Sequence, residues 1–323
     1  MSIRIVMTNH NSGDALGQAI ASVRAQTYRD WEMVIIDNYS PDPMQHAIIN
    51  AACEADVRIK RLNPPPGAKG IDVMGFWWTW VDTDAHPYFI TLGGHDHWDP
   101  NLLQQLLTRM EHKLWEGERE VALVYPETYQ KNQAGAIFGM YFDFHNWSAP
   151  DMPTAPLHVI TGVSSPQFFG LWRKSLKPAI RHRCAGFDHI LIAEAALYGQ
   201  VLYEQNAKLV MQCPPADDNL VKYGERHLSD EFLAAGPRDY LNQLEWLEYI
   251  QTKASAGIAQ PNRTLFDALL FNAMMQVYLV LRGRNLMVVP GALEQFSQNP
   301  KVQRYLGLSA DCAALAREIV HES

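Results

Sequence analysis

The sequence has few cysteines and no surplus of positive charge. It also has no long uninterrupted apolar run, no internal repeat and no low-complexity segment. Cys53, Cys184, Cys213 and Cys312 are its only cysteines, and they are scattered. No two have the spacing of a zinc site, and a chain of 323 residues does not need disulfides to build a core, so reduced, packed thiols are expected. Lys plus Arg number 27 against 35 Asp plus Glu, a net charge of −8. That balance speaks against a nucleic-acid partner, although a local basic pocket for a phosphate remains compatible with it. The longest apolar run, Phe266 to Leu281, is interrupted by Asp267, Asn272 and Gln276, which argues against a spanning helix. The first residues, Met1-Ser2-Ile3-Arg4-Ile5, enter a strand directly instead of a secretory apolar region. A cytoplasmic protein is expected, with peripheral attachment to the inner face of a membrane as the variant.

The richest stretch is Tyr88-Phe89-Ile90-Thr91-Leu92-Gly93-Gly94-His95-Asp96-His97-Trp98-Asp99-Pro100-Asn101. A β-rich apolar run ends on two glycines, which allow close backbone approach. An imidazole–carboxylate–imidazole cluster follows. Asp99-Pro100 then reads as an N-cap and first helical residue, ahead of Leu102, Leu103, Leu106 and Met110 at helical spacing. Ionisable groups are thus placed where a strand hands over to a helix, the usual ligand position in α/β sheets.

Along the chain, Ile3–Met7 and Trp31–Ile36 read as strands flanking a helix with Leu16, Ile20 and Val23 on one face. Both strands end in polar clusters, Thr8-Asn9-His10-Asn11 and Asp37-Asn38-Tyr39-Ser40. Parallel strands joined by a right-handed crossover would bring the two clusters to one sheet edge. Residues 44–54 and 71–81 read as helices. Val57–Leu62, Val121–Tyr125 and Val201–Tyr203 read as strands, 137–144 as a strand or hairpin arm, and 190–198 as a helix. Amphipathic helices are expected at 228–250, 264–281 and 309–320. The expected division is therefore 1–218 and 219–323, the latter a helical C-terminal extension that packs on the main domain, pairs two copies or touches a membrane.

The order of these pieces resembles family 2 glycosyltransferases of the GT-A fold. The resemblance is carried by Thr8-Asn9-His10-Asn11, Ser22-Val23-Arg24-Ala25-Gln26-Thr27-Tyr28, Glu32 and Asp37-Asn38-Tyr39-Ser40-Pro41-Asp42. It continues through Gly93 to Asn101 and through Phe169-Gly170-Leu171-Trp172-Arg173 with Gly186-Phe187-Asp188. It implies a Rossmann-like, mostly parallel mixed sheet between helices. The family pattern departs here: acids are usual at positions 93, 95 and 96, and this chain has Gly93, His95 and Asp96.

The resemblance implies roles residue by residue. Thr8, His10, Asn11, Asp37 and Asn38 would hold the nucleoside of the donor, with Asp37 accepting from the ring nitrogen of the base or from the ribose and His10, where the family often has an aromatic, stacking on the base; otherwise Asp37 caps its own turn and His10 is a loop histidine bonded to backbone. Asp96, with His95, would ligate Mn²⁺ or Mg²⁺ bridging the donor's phosphates, and the alternative for each is a structural turn residue. Asp188 would be the general base, with His189 as runner-up; an Asp ahead of a helix is otherwise an N-cap. Trp172 and Arg173 would line the sugar or acceptor site, or Trp172 would be core. The expected function is inverting transfer of a sugar from a nucleoside diphosphate sugar, UDP-sugar first, to a hydroxyl-bearing glycan or lipid-linked acceptor, in bacterial polysaccharide or glycoconjugate synthesis. The competing expectations are a nucleotide- or glycan-binding protein that has lost transfer, and a metal-free enzyme using a cation such as Arg173 on the diphosphate.

Overall fold

A computed structural model describes residues 2–68, 70–112, 119–132, 134–140, 165–181 and 187–213, with 245–246, 249–250 and 252–253 further on. Within these the strands are β1 (Ile3–Asn9), β2 (Trp31–Asp37), β3 (Ile59–Arg61), β4 (Tyr88–Gly93), β5 (His97–Trp98), β6 (Val121–Lys131), β7 (Ile137–Met140), β8 (Leu171–Arg173) and β9 (Gln200–Gln212). The helices are α1 (Ala15–Arg24), α2 (Pro43–Ala55), α3 (Ile71–Trp80), α4 (Leu102–Met110) and α5 (Phe187–Tyr198).

All nine strands join one sheet in the order β3-β2-β1-β4-β8-β6-β9-β5, with β7 added to β6. β1 is parallel to β2 and β4, and β2 to β3. β8 runs antiparallel to both β4 and β6, so β6 is parallel to β4, and β9 is parallel to β6. The expected mixed, mostly parallel sheet is what the chain forms, and it lies between two helix layers. Ile5 of β1, Met33 of β2 and Ile90 of β4 pack with α1, α2 and α4, while Val6, Val34 and Phe89 face α3 and α5. Strands buried on both faces account for the near-continuous apolar runs in the sequence.

Several local expectations are corrected. The third strand is only Ile59–Arg61, and Val57 is 87% exposed. α4 does not start at an Asp99 cap: Asn101 holds the cap position without a side-chain bond, and Pro100 lies outside the helix. Its free N–H groups are served from across the molecule. Gln26 Oε1 accepts from Leu103 N at 3.0 Å while its Nε2 donates to Asp99 O at 2.7 Å. Thr27 Oγ1 adds a bond to Asn101 Oδ1 at 3.0 Å. The Gln-Thr pair after α1 thus caps another helix. β9 is four times the expected length and continues past a register shift opposite Pro126–Glu127, where a proline is tolerated in β6. Its second half pairs with β5 and carries Gln212 and Cys213 towards the stretch after Gly93.

The boundary at 218 and the segments 264–281 and 309–320 lie outside the described residues, as do Lys69, Cys184, Arg226-His227 and Cys312. The described positions beyond 244 are helical, and two of them dock on the sheet domain. Trp246 and Ile250 are fully buried against α5. Trp246 Nε1 donates to the buried Glu194 carboxylate at 2.5 Å, and Arg181 reaches the same carboxylate at 2.8 Å while its guanidinium lies 3.5 Å over the Tyr249 ring. Among the described residues no helix is long and apolar enough to cross a membrane.

Candidate functional site

The polar clusters that end β1 and β2 meet at one edge. Asn9 pairs with Asp37 in register, and Asn38 N donates to Asn9 O at 2.7 Å. Asn9 is 1% exposed and its Nδ2 donates to Asp37 Oδ1 at 2.8 Å, to Ser40 Oγ at 3.2 Å and to Gln45 Oε1 at 3.3 Å. Asp37 also accepts from Ser40 Oγ at 2.6 Å and Ser40 N at 3.1 Å, so it does cap its own turn. Its Oδ2 faces the His46 ring at 3.8 Å. Ser40 Oγ accepts in turn from Asn11 N at 2.8 Å. Sequence reasoning missed Asn9, Ser40 and Gln45; a signal was available in the small polar residues adjoining Asp37 and opening α2.

His10 Nδ1 lies 2.8 Å from Asn38 O, a backbone-bonded loop histidine that is only half-buried. Thr8 O accepts from Gly94 N at 2.8 Å, which fixes the stretch after β4 against β1. Gly94 fits closely there: a Cβ would stand 2.6 Å from Asn9 Oδ1 and 2.9 Å from Ser12 Oγ, so a larger residue must displace those side chains. Those two oxygens and Asn38 Oδ1 are the buried side-chain oxygens without a partner among the described residues. Two of these unmet oxygens flank Gly94 and the third lies on the residue after Asp37, so the edge keeps hydrogen-bonding capacity in reserve.

Asp96 lies next along the same edge. Its side chain is 1% exposed, its Oδ1 accepts from Gln212 N at 2.9 Å, and a Cβ at Gly93 would meet its Oδ2 at 2.6 Å. No acid can therefore stand at position 93 while Asp96 keeps this place. Burial pushes the Asp96 carboxyl above the ordinary range, opposed by His95, the Gln212 amide and Lys131. Lys131, at the end of β6, lies 3.1 Å from His97 Nδ1. Burial and Lys131 together hold the His97 ring below its ordinary pKa, which favours the neutral imidazole. His97 is thus a partner of Lys131 within the protein.

His95 is exposed and its Nε2 lies 3.6 Å from Asp96 Oδ1. One imidazole nitrogen and one carboxylate oxygen can face a single ion, a donor set that fits a divalent cation drawing its other ligands from phosphates. Among the described residues no group of three or more His, Cys, Asp and Glu side chains gathers to hold an ion unaided.

The other expected residues separate. Asp188 opens α5, whose last turn abuts the start of β6: Arg119 Nη1 donates to Ala196 O at 3.0 Å and Gln200 N to Glu120 O at 2.8 Å. The helix therefore runs back against the parallel strands and returns Asp188 to the edge that holds Asp37 and Asp96. The His189 side chain lies outside the described residues. Trp172 is corrected to core: it is 0% exposed, packs on Trp78 with centroids 5.1 Å apart, and gives its Nε1 proton to Phe168 O at 3.0 Å. Arg173 is corrected too. β8 is antiparallel, so Arg173 pairs with Tyr88 at the far end of β4, about 16 Å from Gly93. There it donates to Val121 O at 2.9 Å and Glu111 at 2.8 Å, engaged entirely with the protein's own groups.

Comparison with known proteins now gives the site its context. Residues 4–114 match the model of glycosyl transferase family 2. An uncharacterized glycosyltransferase of Nostoc sp. is 32% identical over 108 residues, which are 33% of this chain and 32% of that protein. The chain thus spans about a third of the length of the curated relative it matches. S. aureus TarS (residues 1–349) superposes with a TM-score of 0.55 at 10% identity, covering 100% of this chain and 92% of that one. The same TarS fragment solved in complex with UDP-GlcNAc gives a TM-score of 0.55 at 13% identity.

Proposed function

We propose that this chain, whose residues 4–114 match the model of glycosyl transferase family 2, transfers a sugar from a nucleoside diphosphate sugar to a hydroxyl group, with inversion at the anomeric carbon. The observation that carries the proposal is the buried Asn9–Asp37–Ser40 clamp beside unpartnered oxygens, at the edge where β1, β2 and β4 end. Thr8, His10, Asn11 and Asn38 complete a rim around it, and Asp37 and Asn9 hold the nucleoside. Asp96 and His95 would hold a divalent cation, which supplies positive charge to offset the negative charge developing on the diphosphate.

Asp188 accepts the proton of the acceptor hydroxyl as that oxygen bonds to the anomeric carbon. The bond from that carbon to the diphosphate breaks on the opposite face, and the nucleoside diphosphate leaves with the electron pair. Only Asp188, of the two base candidates, has a described side chain. UDP is the first nucleotide to test, since TarS, of this fold, is seen with UDP-GlcNAc. A hydroxyl-bearing glycan or lipid-linked acceptor, in polysaccharide or glycoconjugate synthesis, fits the family.

The decisive experiment is calorimetric titration with UDP, GDP, CDP and dTDP, each with Mn²⁺ and with EDTA, followed by donor turnover. Binding of one nucleotide with sugar transfer supports the proposal. Binding without turnover of any donor favours the second reading, a binding protein, which Gly93 in place of an acid motivates. Binding indifferent to EDTA removes the cation, and failure of all four nucleotides overturns the proposal.

A further inference from the structure

Among the described residues two that are not glycine have left-handed backbone, Asn11 at φ 51° and Tyr39 at φ 53°. Both border the Asn9–Asp37 clamp. Asparagine adopts this conformation readily; a bulky aromatic does not. Tyr39 is held there because its neighbours are tied: Asn38 N is bonded to Asn9 O at 2.7 Å, and Ser40 N to Asp37 Oδ2 at 3.1 Å.

The return on this strain does not lie in the hydrophobic core. Tyr39 is 47% exposed and adds nothing to either hydrophobic core. Its hydroxyl donates to Pro65 O at 2.6 Å, which fixes the ring on the loop after β3. That loop, Asn63-Pro64-Pro65-Pro66-Gly67, is stiffened by three prolines. The ring is therefore a rigid aromatic face on the rim, one residue from the unpartnered Oδ1 of Asn38 and two from Asp37.

We infer that Tyr39 is the aromatic platform on which the base of the bound nucleotide stacks. This rests on the nucleotide-binding reading of the clamp. A flat, pre-fixed ring suits a planar heterocycle, and stacking on an aromatic side chain is a substantial, sequence-tolerant part of base recognition. His10, on the other side of Asn38, is then left to anchor the loop through its bond to Asn38 O.

The test uses the full chain with Tyr39→Asn, which keeps a residue tolerant of left-handed backbone but removes the ring, and Tyr39→Phe, which keeps the ring but removes its anchor. The wild type is first titrated with the four nucleoside diphosphates. For the one that binds, Tyr39→Asn is expected to raise Kd by about tenfold, a typical stacking loss, while its melting temperature stays level or rises as strain is relieved. Tyr39→Phe is expected to stay within about threefold. Saturation-transfer NMR reads the contact separately, with base protons losing enhancement in Tyr39→Asn relative to ribose protons. A Kd for Tyr39→Asn within twofold of wild type, or an unchanged base-to-ribose ratio, overturns the platform while leaving the nucleotide site standing. Failure of the wild type to bind any of the four overturns both.

Discussion

The two ends of this sheet are built to opposite rules. At the end where β1 and β4 begin, most buried charge is partnered by the protein, although Arg119 Nη2 and Trp31 Nε1 lie buried there without a partner among the described residues. The Arg4 guanidinium contacts Asp84 at 2.8 Å and Glu32 at 3.1 Å, and His86 stands 2.5 Å from Asp84. Lys174 donates to Asp84 O. Arg173 spends its donors on Val121 O, Met110 O, Glu111 and the Tyr88 hydroxyl. At the end where the same strands finish, Asn9 Oδ1, Ser12 Oγ and Asn38 Oδ1 are buried without partners, two residues sit in left-handed backbone, and Asp96 is buried at the expense of its ionisation. One end is largely finished by the protein; the other gathers the unpartnered oxygens. Among the described residues the unmet buried nitrogens are scattered, whereas the unmet buried oxygens gather at the site.

That contrast breaks if the charged end turns out to matter to ligand, or the unmet end to stability. Arg4→Met strands the Asp84 and Glu32 carboxylates and is expected to cost about 3 kcal/mol or more in urea unfolding, with nucleotide Kd unchanged for the folded fraction. Trp246→Phe removes one donor from the buried Glu194 carboxylate and is expected to cost about 1–3 kcal/mol by the same measurement. Gly94→Ala pushes a methyl group towards Asn9 Oδ1 and Ser12 Oγ, and is expected to weaken nucleotide binding about tenfold in calorimetry with little change in unfolding midpoint. The smallest effect concerns pH. Burial raises the Asp84 pKa, but bonds from His86 and Arg4 outweigh it and hold the group below 3.8. Its stabilisation is therefore complete above that pH and is lost as pH falls through the lowered value. Asp84→Asn is expected to flatten the stability slope below pH 4 in acid titration monitored by circular dichroism.

The sequence made the unmet end more legible than the finished one. Strand–helix–strand periodicity and two polar turns sufficed to bring Thr8, His10 and Asn11 beside Asp37 and Asn38, because parallel pairing leaves those clusters one place to go. Asp96 was legible for the same reason. Trp172 and Arg173 were not, because their place depends on the direction of β8. An antiparallel strand reverses which end each residue reaches, and three residues carry no sign of direction. Gln26 and Thr27 looked like the end of α1, and only tertiary contact shows them capping α4. β9 was underestimated because its middle, Glu204-Gln205-Asn206, is polar where the register shifts.

β8 has a consequence for biosynthesis. It fills the gap between β4 and β6 with bonds on both sides, yet it leaves the ribosome about forty residues after β6 ends. Until then the growing chain holds two apolar strands, 88–93 and 121–131, each with an open edge facing the place the other cannot reach. Nascent chains stopped in that interval carry an exposed template for pairing with one another, and the sheet can close only as a late, long-range event.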